Sequence, residues 1–183
     1  MEIRKTKFKE VYLIQSKIYT DTRGYFFESY QKKVFNKIFR KSFVQDNLSK
    51  TIKKNTFRGL HFQKNPFPQA KLLTVIQGKI LDVVIDLRKK SETYLVHGMY
   101  ELSEKKINQI YIPEGFAHGF LSLEKDCIIS YKVSNFFFKK YDSGINVFDD
   151  KLNIKLPIKK DKIYLSPKDR NLEKYNKRKI YFK

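Results

Sequence analysis

The chain has 183 residues, one cysteine (Cys127), no tryptophan and a formal net charge of +20, from 39 Lys and Arg against 19 Asp and Glu. That length fits one domain able to bury a core unaided, and a lone cysteine excludes an intrachain disulfide framework. No run of about 18 apolar residues could span a bilayer, and the opening MEIRKTKFKEVYLIQ lacks the apolar centre of a signal peptide, so a cytoplasmic protein with no membrane partner is expected.

In chain order, the first clear element is a helix over QKKVFNKIFRK (31–41), where Val34, Phe35, Ile38 and Phe39 recur at helical spacing. Short β-rich runs follow: FRGLHFQ (57–63), KLLTVIQG (71–78), KILDVVIDLR (79–88), QIYIP (109–113), HGFLSL (118–123) and CIISYKV (127–133), punctuated by Gly78, Pro113 and Gly115. In KILDVVIDLR, Leu81, Val83, Ile85 and Leu87 share one face, and Asp82, Val84, Asp86 and Arg88 the other. Many short strands with turn signals between them indicate a mainly all-β fold, a sandwich or barrel of jelly-roll type with a few short helices. No linker divides residues 1–183, and the basic, Tyr-bearing stretch from about 171 reads as a C-terminal arm. The lysine pairs fall between apolar runs, which describes a solvated surface; the other reading of +20 is a field attracting an anionic partner, a phosphorylated metabolite or a nucleic acid.

Three side chains do not suit a plain core. In FRGLHFQ, strict alternation puts Phe57, Gly59, His61 and Gln63 on one face and Arg58, Leu60 and Phe62 on the other. Lys71 shares a face with Leu73 and Val75, and Tyr131 with Ile129 and Val133. If those apolar partners point inward, a lysine and a tyrosine do too, and an inward lysine is costly unless the interior is a wet cleft or holds an anion. Each residue also has a plainer reading: a bonded core histidine, a packed tyrosine, a lysine at a strand edge or bulge.

Seven blocks in order, DTRGYFFESY (21–30), FVQDNLS (43–49), FRGLHFQ, QAKLLTVIQGKILDVVIDLRKKS (69–91), IPEGFAHGF (112–120), SYK (130–132) and LSPKD (165–169), resemble the dTDP-4-dehydrorhamnose 3,5-epimerase family of nucleotide-sugar 4-keto-hexose epimerases. The resemblance implies a cupin-type double-stranded β-helix, a homodimer with strand exchange, no cofactor and no metal. It implies inversion at C3 and/or C5 of a 4-keto-6-deoxy sugar carried on dTDP or GDP. Removing a proton beside a ketone calls for a base active near neutrality, and by resemblance that base is His61. Asp169 would fix its tautomer, Lys71 would stand by the enolate oxygen, and Tyr131 would return the proton from across the ring.

Binding roles follow in the same way. Arg23, Phe26 and Glu28 match the segment reaching across the dimer to the partner's nucleotide base. Gln45, Asn47 and Arg58 match positions near sugar and diphosphate, although Arg58 has the opposite parity to His61. His118 matches a structural or supporting position, and His97, which matches none, is expected at the surface. The H-x-H pair of metal cupins is missing, since Phe62 and Gln63 follow His61. Departures are Phe136 and Phe137 where tyrosines are usual, Val147 for Trp, Asp150 for Pro, and Leu156 before Pro157. They predict an altered recognition wall and a different 4-keto-6-deoxy sugar, a heptose included. Other readings of the chain are a C3-only epimerase, a 3,4-ketoisomerase of the same superfamily, and a non-catalytic sugar-nucleotide or nucleic-acid binder. Joint retention of His61, Lys71, Tyr131 and Asp169 argues against that last reading, and no nucleic-acid partner is expected.

Overall fold

The computed structural model describes residues 1–182. Thirteen strands and two α-helices follow in the order β1 (Glu2–Lys5), β2 (Tyr12–Gln15), β3 (Ile18–Asp21), β4 (Gly24–Phe27), α1 (Lys32–Phe39), β5 (Gln45–Thr51), β6 (Phe57–Gln63), β7 (Lys71–Gln77), β8 (Lys79–Asp86), β9 (His97–Ser103), β10 (Asn108–Ile112), β11 (Phe116–Ser122), β12 (Cys127–Val133), β13 (Asp142–Gly144) and α2 (Pro167–Arg170). One sheet runs β1-β2-β10-β7-β12-β5 and the other β13-β6-β11-β8-β9, while β3 and β4 form a hairpin that belongs to neither. Two mainly antiparallel sheets packed face to face make the expected jelly roll.

Three apolar layers hold it. Leu73, Val75, Ile80, Val84, Ile110, Phe120 and Ile129 fill the space between the sheets. The amphipathic α1 lays Phe35 and Phe39 on Leu72 and Tyr111 at the outer face of the larger sheet. The chain after β13 returns across the outer face of the smaller one, where Ile145, Val147, Leu152, Tyr175 and Phe182 cover Phe57, Leu60, Val83 and Ile85. The smaller sheet is therefore buried on both faces, which explains why β8 is apolar on both. It also corrects the expectation of an arm: the basic tail docks, with Tyr175 and Phe182 buried and Phe182 bridging to Arg88.

The second correction concerns β6. Strict alternation fails there, because His61 pairs with His118 and Arg58 with Phe120, so three residues of β6 span two of β11. Gly59 absorbs the extra residue at φ +116°, and a Cβ there would stand 2.7 Å from the His118 carbonyl oxygen and 2.8 Å from Gly119 Cα. Only glycine fits so close to the neighbouring backbone. Beyond it, Phe57, Leu60 and Phe62 all pack on the outer cluster, and Arg58 and His61 fall on the same inner face.

Candidate active site

At one end the apolar filling between the sheets gives way to a cleft of about 310 Å³. Arg58, His61 and His118 reach it from the smaller sheet; Ser49, Lys71 and Tyr131 reach it from the larger one. Leu73, Phe120 and Ile129 line it with apolar surface, and Ser166, Lys168 and Asp169 close it from the last helix. Six of the residues expected from sequence thus meet in one place: His61, Lys71, Tyr131, Asp169, Arg58 and His118.

His61 and Asp169, 108 positions apart, meet at 2.6 Å between Nε2 and Oδ1. The carboxylate is held by its own local structure: Ser166 caps α2 and accepts the Asp169 amide at 3.0 Å, with Pro167 pre-set for the first turn. The Gly59 amide adds a long 3.4 Å contact to Oδ2. Burial pushes Asp169 up, but the bond to His61, that ring's charge, the Gly59 amide and the Ser166 hydroxyl outweigh it and hold the carboxyl below its usual range. An ionised Asp169 accepts from Nε2–H and leaves Nδ1 as the basic nitrogen of a neutral ring.

Beside this pair lies a second. His118 Nε2 stands 2.7 Å from Asp82 Oδ2, with Asp82 fully buried. Burial pulls His118 below the ordinary imidazole value; the Asp82 charge and hydrogen bond oppose that, and the nearby Lys71 and His61 add to it. On the opposite wall, burial lowers Lys71 to about 8, against the attraction of Asp82 and Asp142. Burial raises Tyr131, with Arg58 pulling the other way, so its phenol keeps its proton at neutral pH. Arg58 is fixed by Nε to Thr51 Oγ1 and Nη2 to the Lys50 carbonyl, both at 2.9 Å, which leaves its Nη1 donors for a ligand.

Other expected residues lie outside the cleft. Gln45 and Asn47 share the face of β5 that carries Ser49, and Gln45 Nε2 donates to Asn47 Oδ1 at 2.8 Å. Arg23 and Phe26 sit on the β3–β4 hairpin beside a separate pocket, and Glu28 lines another against α1. His97 opens β9, away from the site. Phe136 and Phe137 are exposed, and the Phe137 amide donates to Gln45 Oε1 at 3.0 Å. Val147 and Leu156 pack in the outer cluster behind the smaller sheet, so these two departures change buried packing and not, as expected, the wall that a sugar would touch. Ser49, Ser166 and Lys168 went unremarked in the sequence, although the last two stand inside the LSPKD block. Among the described residues no three His, Cys, Asp or Glu side chains come together to hold a metal ion.

A jelly roll whose cleft sets a histidine–aspartate pair against a lysine and a protonated phenol brings together groups able to accept and to donate a proton. A family model described as dTDP-4-dehydrorhamnose 3,5-epimerase matches residues 5–177. The dTDP-4-dehydrorhamnose 3,5-epimerase of Methanothermobacter thermautotrophicus is 41% identical over 179 residues, 97% of this chain and 96% of the relative. The Bacillus anthracis enzyme of that name, solved with TDP and PPi bound, superposes with a TM-score of 0.91 at 42% identity, covering 95% of this chain and 99% of that one. The Legionella pneumophila dTDP-6-deoxy-D-glucose-3,5-epimerase, in complex with dTDP-4-keto-L-rhamnose, gives 0.89 at 35% identity over 94% and 92%. The chain belongs to the dTDP-4-dehydrorhamnose 3,5-epimerase family and is an isomerase.

Proposed function

We propose that this protein inverts C3 and C5 of a dTDP-linked 4-keto-6-deoxy sugar with His61 as base and Tyr131 as acid. The observation that carries the assignment is the placement of these two on opposite sheets across one cleft. The C4 carbonyl acidifies the hydrogens on C3 and C5. His61 Nδ1 takes one as a proton, Asp169 steadies the resulting imidazolium, and the electron pair moves to the C4 oxygen as an enolate. The Lys71 ammonium offsets that charge as it forms, an effect worth roughly 3 kcal/mol where such groups are pre-placed. The Tyr131 hydroxyl then delivers its proton to the carbon from the other face, the phenolate regains one from solvent, and the His61 imidazolium returns its proton to solvent. Repetition at the second carbon completes the reaction.

TDP and dTDP-4-keto-L-rhamnose in the two solved relatives support thymidine, and GDP, the other nucleotide expected, finds no such support. Arg58 and Lys168 supply positive charge for the diphosphate. The homodimer with strand exchange belongs to the same reading: the β3–β4 hairpin pairs with neither sheet and exposes Tyr19, Tyr25 and Phe26, and Leu48 and Ile52 lie exposed along and just beyond edge strand β5. In that dimer Arg23, Phe26 and Glu28 would serve the partner's nucleotide. The single, unpaired Cys127 suits a reducing compartment such as the cytoplasm. Incubation with dTDP-4-keto-6-deoxyglucose in D₂O, followed by NMR, tests the reaction. Deuterium at both C3 and C5 is expected, and Tyr131→Phe should still admit deuterium while slowing completion at one centre. Deuterium at C3 alone would establish the restricted epimerase, and none from any nucleotide 4-keto sugar would overturn the reading.

A further inference from the structure

Among the buried carboxylates that take no part in this reaction, one is bonded to a cleft residue, His118. Asp82 projects from β8 between Ile80 and Val84 into the apolar layer between the sheets, and all three are fully buried. A carboxylate there costs several kcal/mol unless it is compensated. Its Oδ2 meets His118, but its Oδ1 has no hydrogen-bond partner among the described residues. The imidazole is poor compensation, because burial, the Lys71 charge and, whenever it is protonated, His61 disfavour its charged form.

A charge of opposite sign faces it from the other sheet. Lys71 projects inward from β7, and its Nζ makes no hydrogen bond or ion pair among the described residues. With it in the cleft stand His118 of β11, Arg58 and His61 of β6, Tyr131 of β12, and Lys168 and Asp169 of α2, while the charges of Asp82 of β8 and Asp142 of β13 attract it from beyond ion-pair distance. Of the three carboxylates, Asp169 is committed to His61 and Asp142 is ion-paired with Lys168. Of these, Asp82 alone has a buried oxygen with no hydrogen-bond partner among the described residues. We propose that Asp82 is a positioning residue: it holds the His118 ring and, through its unshared oxygen, keeps Lys71 a charged ammonium at the cleft wall, ready for the enolate oxygen. The proposal rests on the epimerase reading for its chemistry but not for its electrostatics, which can be measured without substrate.

The test reads Lys71 directly, by NMR titration of lysine-labelled protein with its resonance assigned through Lys71→Met. The protein, Asp82→Asn and Asp142→Asn are compared, alongside kcat against pH on dTDP-4-keto-6-deoxyglucose. In Asp82→Asn the Lys71 midpoint should fall by about one unit and carry the alkaline limb of kcat with it. That is a roughly fivefold loss of kcat at about pH 8, approaching tenfold at more alkaline pH, with KM nearly unchanged; Asp142→Asn should move the midpoint less. An unmoved Lys71 midpoint in Asp82→Asn, or a larger shift in Asp142→Asn, overturns the proposal, as does a kcat profile that stays in place while Lys71 shifts. Should Asp82→Asn fail to fold, Asp82→Ser removes the same charge with less volume and is read the same way. Absence of turnover by the unmutated protein counts against the epimerase reading, and the Lys71 titration then decides the electrostatic claim by itself.

Discussion

His61 and His118 face each other in register on neighbouring strands, and each meets an aspartate at nearly the same distance, 2.6 Å and 2.7 Å. Their surroundings differ: the His61 side chain is 30% exposed and that of His118 only 8%. The first aspartate is held by a helix cap at the cleft's edge, the second lies in the middle of an apolar layer. Hydrogen-bond geometry therefore does not distinguish a base from a support. Access to the ligand does, together with the apolar surroundings that hold His118 uncharged.

The comparison breaks most visibly on paired substitutions. His61→Asn should cut deuterium exchange at both carbons by about 10³-fold or more, whereas His118→Asn should cost on the order of tenfold and leave exchange detectable. Equal losses would erase the distinction. Lys71→Met sharpens it from the opposite wall, with kcat falling by roughly 10²-fold while the pH dependence of stability that Lys71 contributes disappears. The sign follows from linkage: the folded-state value of Lys71, about 8, lies below its ordinary 10.5, so the unfolded chain binds the extra proton. The stability of the unmutated protein should therefore rise across that interval, as read by urea denaturation, and Lys71→Met should lack that rise. The smallest effect expected is that of Ser166→Ala, a loss of about 1 kcal/mol from the missing cap. With it should come a modest fall in kcat as Asp169 loosens, while the corresponding loss of a polar group near Asp82 would leave Asp169 untouched.

Much of this was legible in the sequence. The six β-rich runs became β6, β7, β8, β10, β11 and β12, and the helical stripe became α1, because strong period-2 or period-3.6 patterns carry their own address. Lys71 and Tyr131 were marked as inward by alternation alone. Strands β1 to β5, β9 and β13 carry no such mark, since hairpins and edges of mixed composition have no inside to enforce a pattern. Arg58 was misplaced because alternation cannot see an extra residue; the glycine at 59, between two side chains that both wanted the cleft, was the available signal. Asp82 carried a signal too, as a charge in the middle of an apolar strand. Its partner lay 36 residues away on another strand, and only packing could name it. The tail reads as an arm because its lysines outnumber its aromatics, yet Tyr175 and Phe182 suffice to dock it.

The most direct measurement is a crystal structure with an unreactive dTDP-sugar in the cleft. The sugar ring should lie between the sheets, with the His61 ring against one face, the Tyr131 hydroxyl against the other, and Lys71 Nζ within hydrogen-bonding distance of the oxygen at C4. A sugar bound away from this cleft, or presenting the same face to His61 and Tyr131, would contradict the account.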